Sequence, residues 1–355
     1  MTFPKGLPET TLETITGVRA ESRRHETVNE LDVQQDRGRR SASGLALTAG
    51  RSTTIAKPSA SRPNVLLIGA PRCASTSLAF ALEEHPDIYV CDPKEPHFLA
   101  MHGCDTEING IGSEGFSKNN RLTYQQWTDL FRNKKERYLL DASVSTMSYP
   151  DTSIPNILKY CAKDSRLIVI LRNPVERAYS SHQYCLSRGW PAGSLDECLE
   201  GEQFRIENNW QHLWFLKSMS QYELRLKPFL DAFGRENTHI AITEEFSDDP
   251  DAVLRGIFEF LGLPIVKIDT SVRYNPSGVP NSRLVGGVSA FIRKRPALLK
   301  GLKLFSTRSF REAVKNRSLR KTDMADAPRQ SLVAALSETK PWVECLIGRK
   351  LAAWD

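Results

Sequence analysis

Val65 to Ile68 is an uninterrupted apolar run that leads directly into Gly69-Ala70-Pro71-Arg72-Cys73-Ala74-Ser75-Thr76-Ser77-Leu78, and few folds accommodate that succession. The run has the make-up of a buried strand, and Ser77 to Glu84 carries a helical pattern, so the segment is predicted to be strand, tight turn, helix. At such a junction the first-turn N–H groups have no acceptors within the helix and the macrodipole is positive, which makes an anion the natural occupant. A P-loop NTPase requires G-x-x-x-x-G-K-[ST], with the Lys on the β/γ-phosphates. Here Ala74 stands at the second Gly and Ser75 at the Lys. The γ-phosphate clamp is therefore missing, and a kinase is disfavoured. The cation inside the loop is Arg72, placed to reach a transferring oxyanion from the side. Taken alone, the pattern fits a purely structural turn equally well.

A second segment shifts that balance. Leu167 to Leu171 is a five-residue apolar run that ends at Arg172-Asn173-Pro174, before a helical pattern from Val175 to Leu186. Such runs are typical of buried parallel strands. Pro174 suits a first helical turn, where its missing N–H costs nothing. Arg172 then lies at the C-terminal edge of a strand, where open α/β sheets bind ligands, and Ser180 lies about two turns along. A guanidinium fork and a hydroxyl form a reasonable pair for a second phosphate.

With both segments in view, the chain resembles the PAPS-dependent sulfotransferases of the carbohydrate type, which include heparan sulfate and bacterial members. The first loop looks like that family's 5′-phosphosulfate loop. Arg172 and Ser180, eight residues apart, look like its 3′-phosphate motif. His85-Pro86-Asp87-Ile88-Tyr89 and Lys94-Glu95-Pro96-His97-Phe98 extend the likeness, which runs from Asn64 to about Arg283 and resumes at Gly348-Arg349-Lys350-Leu351 and Trp354. The resemblance implies an α/β fold: a single P-loop-like domain with a central parallel sheet flanked by helices and a C-terminal helical extension. It also implies no metal, PAPS as co-substrate, and transfer of its sulfuryl group to a hydroxyl or amine of a carbohydrate or lipid-linked acceptor. Carried over by position, Arg72 would contact the bridging and sulfuryl oxygens. Cys73, Ala74, Ser75, Thr76 and Ser77 would surround the 5′-phosphate, and Arg172 and Ser180 would hold the 3′-phosphate. Glu95 falls where heparan-type enzymes keep a catalytic carboxylate. Ser277, Gly278 and Arg283 fall in the loop that closes over the nucleotide.

Two departures stand out. Ala74 replaces the usual Gly, so a positive φ there would strain the chain or shift the loop. Ala142, in Asp141-Ala142-Ser143, replaces a Lys of the heparan-type enzymes, whose role is then either unfilled or taken by another cation such as Lys94. Sulfuryl transfer, like phosphoryl transfer, needs an in-line nucleophile, charge stabilisation and a positioned base. Glu95 is the first candidate base, its alternative being a solvated partner of Lys94. His97 is the rival base, its alternative being a packed structural role. Cys73 reads as a space-filling residue, although a helix N-terminus can activate a thiol. A protein of this fold that binds nucleotide or polyanion without turnover is the competing reading, with Ala74 and Ala142 in its favour.

The rest of the chain fits one large domain. Its 355 residues are 40% hydrophobic and 25% charged, with strand-helix alternation from Asn64 onward. The coarse reading places helices at 151–162, 174–187, 212–233 and 250–261, and strands at 166–171 and 238–242. Residues 63–355 form the expected domain. Residues 1–62, rich in Arg, Ser, Thr and Gly, read as mostly disordered, and their seven acids argue against a transit peptide. Seven scattered cysteines without a C-x-x-C pair look like reduced thiols, and no apolar run approaches membrane-spanning length. A soluble cytoplasmic protein is expected. Residues 293–321 carry eleven Lys/Arg against Glu312 alone. This stretch, within an expected basic helical segment at about 290–321, is either a solvated amphipathic cover or a surface for an anionic polymer or membrane. No nucleic-acid motif accompanies it.

Overall fold

The structure, a computed structural model, describes residues 62–117, 121–269 and 323–355, together with the backbone of 279–280 and 319–320. In chain order the elements begin β1 (Val65–Gly69), α1 (Ser75–Glu83), β2 (Ile88–Val90), α2 (Phe98–Met101), α3 (Tyr124–Asp129) and β3 (Tyr138–Asp141). They continue α4 (Ser145–Ser148), α5 (Pro150–Tyr160), β4 (Arg166–Leu171), α6 (Pro174–Ser187), α7 (Leu195–Glu200) and α8 (Glu202–Glu207). The last are α9 (Tyr222–Phe233), β5 (Thr238–Ile242), α10 (Thr243–Asp248), α11 (Pro250–Leu261), α12 (Asp326–Ala335) and α13 (Thr339–Ile347).

Five strands form one parallel sheet in the order β2-β3-β1-β4-β5. The most apolar runs, β1 and β4, lie inside it and are buried almost throughout, as strands covered on both faces must be. From β1 the chain moves outward to β2, returns through β3, and crosses to β4 and β5 on the other side. The C-terminal ends of β1 and β4 therefore flank the switch point where open sheets bind ligands. Helices cover the sheet with Leu78 and Leu82 of α1, Phe229 of α9 and Phe258 of α11 in one core with Trp354 near the end of the chain. A second core joins Val175 and Ala178 of α6 to Trp214 and to Leu332 and Leu336 in and beside α12.

The strands expected at 166–171 and 238–242 and the helices at 174–187 and 250–261 form over those residues. The first helix starts at Ser75 rather than Ser77. The helix expected over 212–233 is broken: a 3₁₀ turn at His212–Trp214 is followed by irregular chain up to α9. Side chains satisfy that backbone instead. Glu202 accepts from the N–H groups of Lys217 and Ser218 at 2.8 and 2.7 Å, and Arg177 donates to the carbonyls of Phe215 and Leu216 at 2.9 Å each. All seven cysteines are free thiols. Among the described residues no helix is long and apolar enough to cross a membrane. The N-terminal segment, and all of the basic stretch except Leu319–Arg320, lie outside the described residues. Leu319–Arg320 pairs antiparallel with Val279–Pro280.

Candidate active site

The loop after β1 is held from four directions. The Ala70 N–H donates to Ile170 O of β4 at 2.9 Å, and Arg177 Nε donates to Pro71 O at 3.1 Å. Thr243 Oγ1 donates to Cys73 O at 3.0 Å, and the Cys73 thiol lies 3.7 Å from Tyr222 Oη. Gly69 permits a close approach: a Cβ there would lie 2.5 Å from Met147 Sδ of α4. At the other end Ala74 takes φ 61°, ψ 16° as N-cap of α1, with no side-chain cap, and its carbonyl accepts from the Leu78 N–H at 3.1 Å. The positive φ anticipated for this position is real. Arg72 shares the left-handed region at φ 70°. Ser75 is buried and Thr76 half-buried at the mouth of the first turn, where the helix leaves its N–H groups to an outside acceptor. Burial pushes the Cys73 thiol up to about 11, despite Arg177 nearby, which makes it a protonated filler rather than a nucleophile.

The second motif stands beside the first. Asn173 Oδ1 caps α6 by accepting from the N–H groups of Val175 and Glu176 at 3.0 and 3.3 Å. Tyr222 Oη donates to Arg172 O at 2.8 Å and accepts from Arg172 N at 3.4 Å. One buried hydroxyl thus ties both motifs together. Ser180 is buried on the same helix. The Arg72 guanidinium lies 4.5 Å from the Tyr184 ring centroid, over its face. Burial first, then the neighbouring charges of Arg172 and Arg177, hold Arg72 below its ordinary pKa. Arg177 is fully buried, and among the described residues its hydrogen-bond partners are neutral: Pro71 O, Phe215 O, Leu216 O, Ser220 Oγ and Ser181 Oγ.

The loop that carries the candidate bases follows β2. Glu95 and His97 both adopt left-handed backbone, at φ 62° and 57°. Lys94 Nζ sits 2.5 Å from Glu95 Oε1, and the Glu95 side chain keeps 29% exposure, enough for an acceptor to reach it. Burial alone would raise its pKa, but Lys94, His97 and Arg72 outweigh burial and keep it ionised. His97 Nδ1 is 2.8 Å from Ser145 Oγ, and its ring packs 4.6 Å from Phe116. Burial, partly offset by Glu95, lowers its pKa and leaves it neutral. A buried relay holds this loop. Trp127 Nε1 and Ser143 Oγ donate to the Asp141 carboxylate at 2.9 and 2.6 Å, and Ser143 Oγ accepts from the His97 N–H at 3.2 Å. Ala142 is fully buried there, while Lys94 is close enough for its charge to act on Asp141.

A model of the sulfotransferase family matches residues 63–267, more than half of the chain. The chain belongs to the sulfotransferase family. It is 26% identical over 231 residues to the bifunctional heparan sulfate N-deacetylase/N-sulfotransferase 1 of Caenorhabditis elegans, covering 64% of this chain and 25% of that protein. It is 25% identical over 217 residues to the heparan sulfate glucosamine 3-O-sulfotransferase 3B1 of Mus musculus, covering 60% and 49%. The chain thus spans at most about half the length of these curated relatives. A crystal structure of a sulfotransferase from Alicyclobacillus acidocaldarius superposes with a TM-score of 0.64 at 27% identity, over 82% of this chain and 98% of that one.

Arg72 lies within electrostatic reach of both Arg172 and Glu95, and Ser180 is buried on α6, the helix that follows Arg172. Ser277, Gly278 and Arg283 lie outside the described residues. Sequence reasoning missed Arg177, Tyr222 and Asp141. Arg177 left a trace, since a charge between Val175 and Ala178 interrupts the apolar face of α6. Tyr222 and Asp141 left none, because their partners are distant in sequence.

Proposed function

We propose that this sulfotransferase moves a sulfuryl group from PAPS to a hydroxyl or amine of a carbohydrate-type acceptor. The observation that carries the reading is that Arg72 and Arg172 lie within electrostatic reach of each other by the N-terminal ends of α1 and α6, with Glu95 alongside and the charge of buried Arg177, whose hydrogen bonds go to the protein, behind them. Such a donor set suits a ligand with several anionic groups, and a nucleotide with phosphates at both 5′ and 3′ positions meets that requirement. The names of the curated relatives support a glycan acceptor.

On this reading Ser75 and Thr76, with the backbone of Cys73, Ala74 and Ser77, hold the 5′-phosphosulfate. Arg172 and Ser180 hold the 3′-phosphate, while Ser277, Gly278 and Arg283 close over it. PAPS supplies the activated sulfuryl group and a stable bisphosphate leaving group. Arg72 stabilises charge on the transferring oxygens. Glu95, ionised at neutral pH, takes the acceptor proton, and Lys94 fixes the carboxylate and stands in for the missing Lys at Ala142. Neutral His97, tethered to Ser145, shapes the wall beside the base.

The test is transfer of labelled sulfate from PAPS to an unsulfated glucosaminoglycan and to simple glycosides. Incorporation that disappears in Glu95→Gln is expected. Nucleotide binding without transfer to any glycan would overturn the reading in favour of a non-catalytic binding protein.

A further inference from the structure

The family match ends at residue 267, yet residues 323–355 return to α6 and to the Arg172 turn. Tyr179 Oη donates to Asp323 O at 3.0 Å, and Leu332 packs with Val175 and Ala178. Asn173 Nδ2 donates to Trp354 O at 3.3 Å. Glu244 accepts from Asn173 N at 3.0 Å and from Trp354 Nε1 at 2.9 Å. In this setting the Glu176 carboxylate is shared. One oxygen contacts Arg329 Nη2 of α12, and the other lies 3.8 Å from Arg172 Nη2.

Glu176 is thus a resident anion in the first turn of α6, one turn from the cation assigned to the 3′-phosphate. Left to itself it would engage Arg172 and repel an incoming phosphate, since like charges at this range oppose each other. We propose that Arg329 sets the preference for a 3′-phosphate by drawing the Glu176 carboxylate to itself and leaving Arg172 for the ligand. This rests on the assignment of Arg172 made above. Arg329 is a positioning residue in this scheme, acting through Glu176. The three side chains are 24, 32 and 47% exposed for Arg172, Glu176 and Arg329, so solvent screens the effect. Its expected size is about three- to fivefold in affinity at low salt, fading at high salt.

The experiment is calorimetric titration of the full chain with 3′-phosphoadenosine 5′-phosphate and with 5′-AMP, for the unaltered protein, Arg329→Gln, Glu176→Gln and the double variant. Arg329→Gln should weaken the bisphosphate about three- to fivefold and leave 5′-AMP unchanged. Glu176→Gln should bind the bisphosphate at least as tightly as the unaltered protein, and the double variant should match it. These side chains lie at the surface, so the variants should fold. Equal weakening of both nucleotides by Arg329→Gln, or failure of Glu176→Gln to rescue it, would overturn the proposal while leaving the Arg172 assignment intact. An unaltered protein that does not distinguish the two nucleotides would overturn both.

Discussion

Ala74 holds φ 61° where a glycine would be unstrained, and Glu95 and His97 hold 62° and 57° in the loop that carries the base. Non-glycine residues in this region cost on the order of 1 kcal/mol each and persist where their surroundings fix them. For Ala74 the fixing groups are Thr243 and Tyr222 on the adjacent Cys73; for His97 they are Ser143 and Asp141. Ala74→Gly should raise stability by about 0.5–1 kcal/mol in urea unfolding, the relief of strain exceeding the added unfolded-state freedom of glycine. A loss of stability would mean that packing of the Ala74 methyl outweighs the strain. Glu95→Gln should lower kcat about 10²- to 10⁴-fold with PAPS affinity nearly unchanged, because the carboxylate serves the acceptor's proton. If steady-state kinetics instead show His97→Ala as the crippling change, the base has been misassigned. Arg72, Arg172 and Glu95 could be proposed from sequence because each follows a strand, whereas Ser180, in the middle of α6, could be proposed only from its spacing to Arg172.

The elements divide along a similar line. Strands β1, β4 and β5 and helices α6 and α11 announced themselves through apolar runs, Pro at a first turn and periodic faces. The three-residue β2 was too short to stand out, and β3 follows a charged stretch, Arg132 to Arg137. The helix expected over 212–233 forms only from Tyr222, because Glu202 and Arg177 take the backbone groups of residues 215–218 before it. Tyr222, at the start of α9, joins two elements that sequence treats as separate. Tyr222→Phe keeps the ring and removes the hydroxyl shared by Arg172 and Cys73. It should cost about 1–3 kcal/mol in unfolding, since Arg172 loses buried partners, and should also weaken the bisphosphate nucleotide. A stability loss with unchanged nucleotide affinity would show that Tyr222 does not align the two motifs.

At the scale of the whole molecule, the core contains a histidine that must stay neutral. Burial, with His97, Arg177 and Arg225 adding to it, pushes His212 down to about 3, against an ordinary value near 6.5. Below that ordinary value the unfolded chain binds more protons than the folded one, so stability must fall as pH falls. Between pH 6.5 and 5 this single group should account for a loss on the order of 2 kcal/mol, and His239, pushed to about 4, adds in the same direction. His97, lowered by burial, acts in the same direction, whereas Asp141, raised by burial, opposes it. His212→Asn should flatten the dependence measured by urea unfolding at pH 7 and pH 5, and an unchanged slope would contradict the assignment.

The central claim is that the ends of β1 and β4 form two anion sites, spaced for one nucleotide with phosphates at both positions. Calorimetric titration with 3′-phosphoadenosine 5′-phosphate in EDTA, beside 5′-AMP and ATP, tests it most directly. The account predicts tight binding of the bisphosphate and weak binding of the other two, with the preference lost in Arg172→Ala. Equal affinity for nucleotides with and without the 3′-phosphate would contradict it.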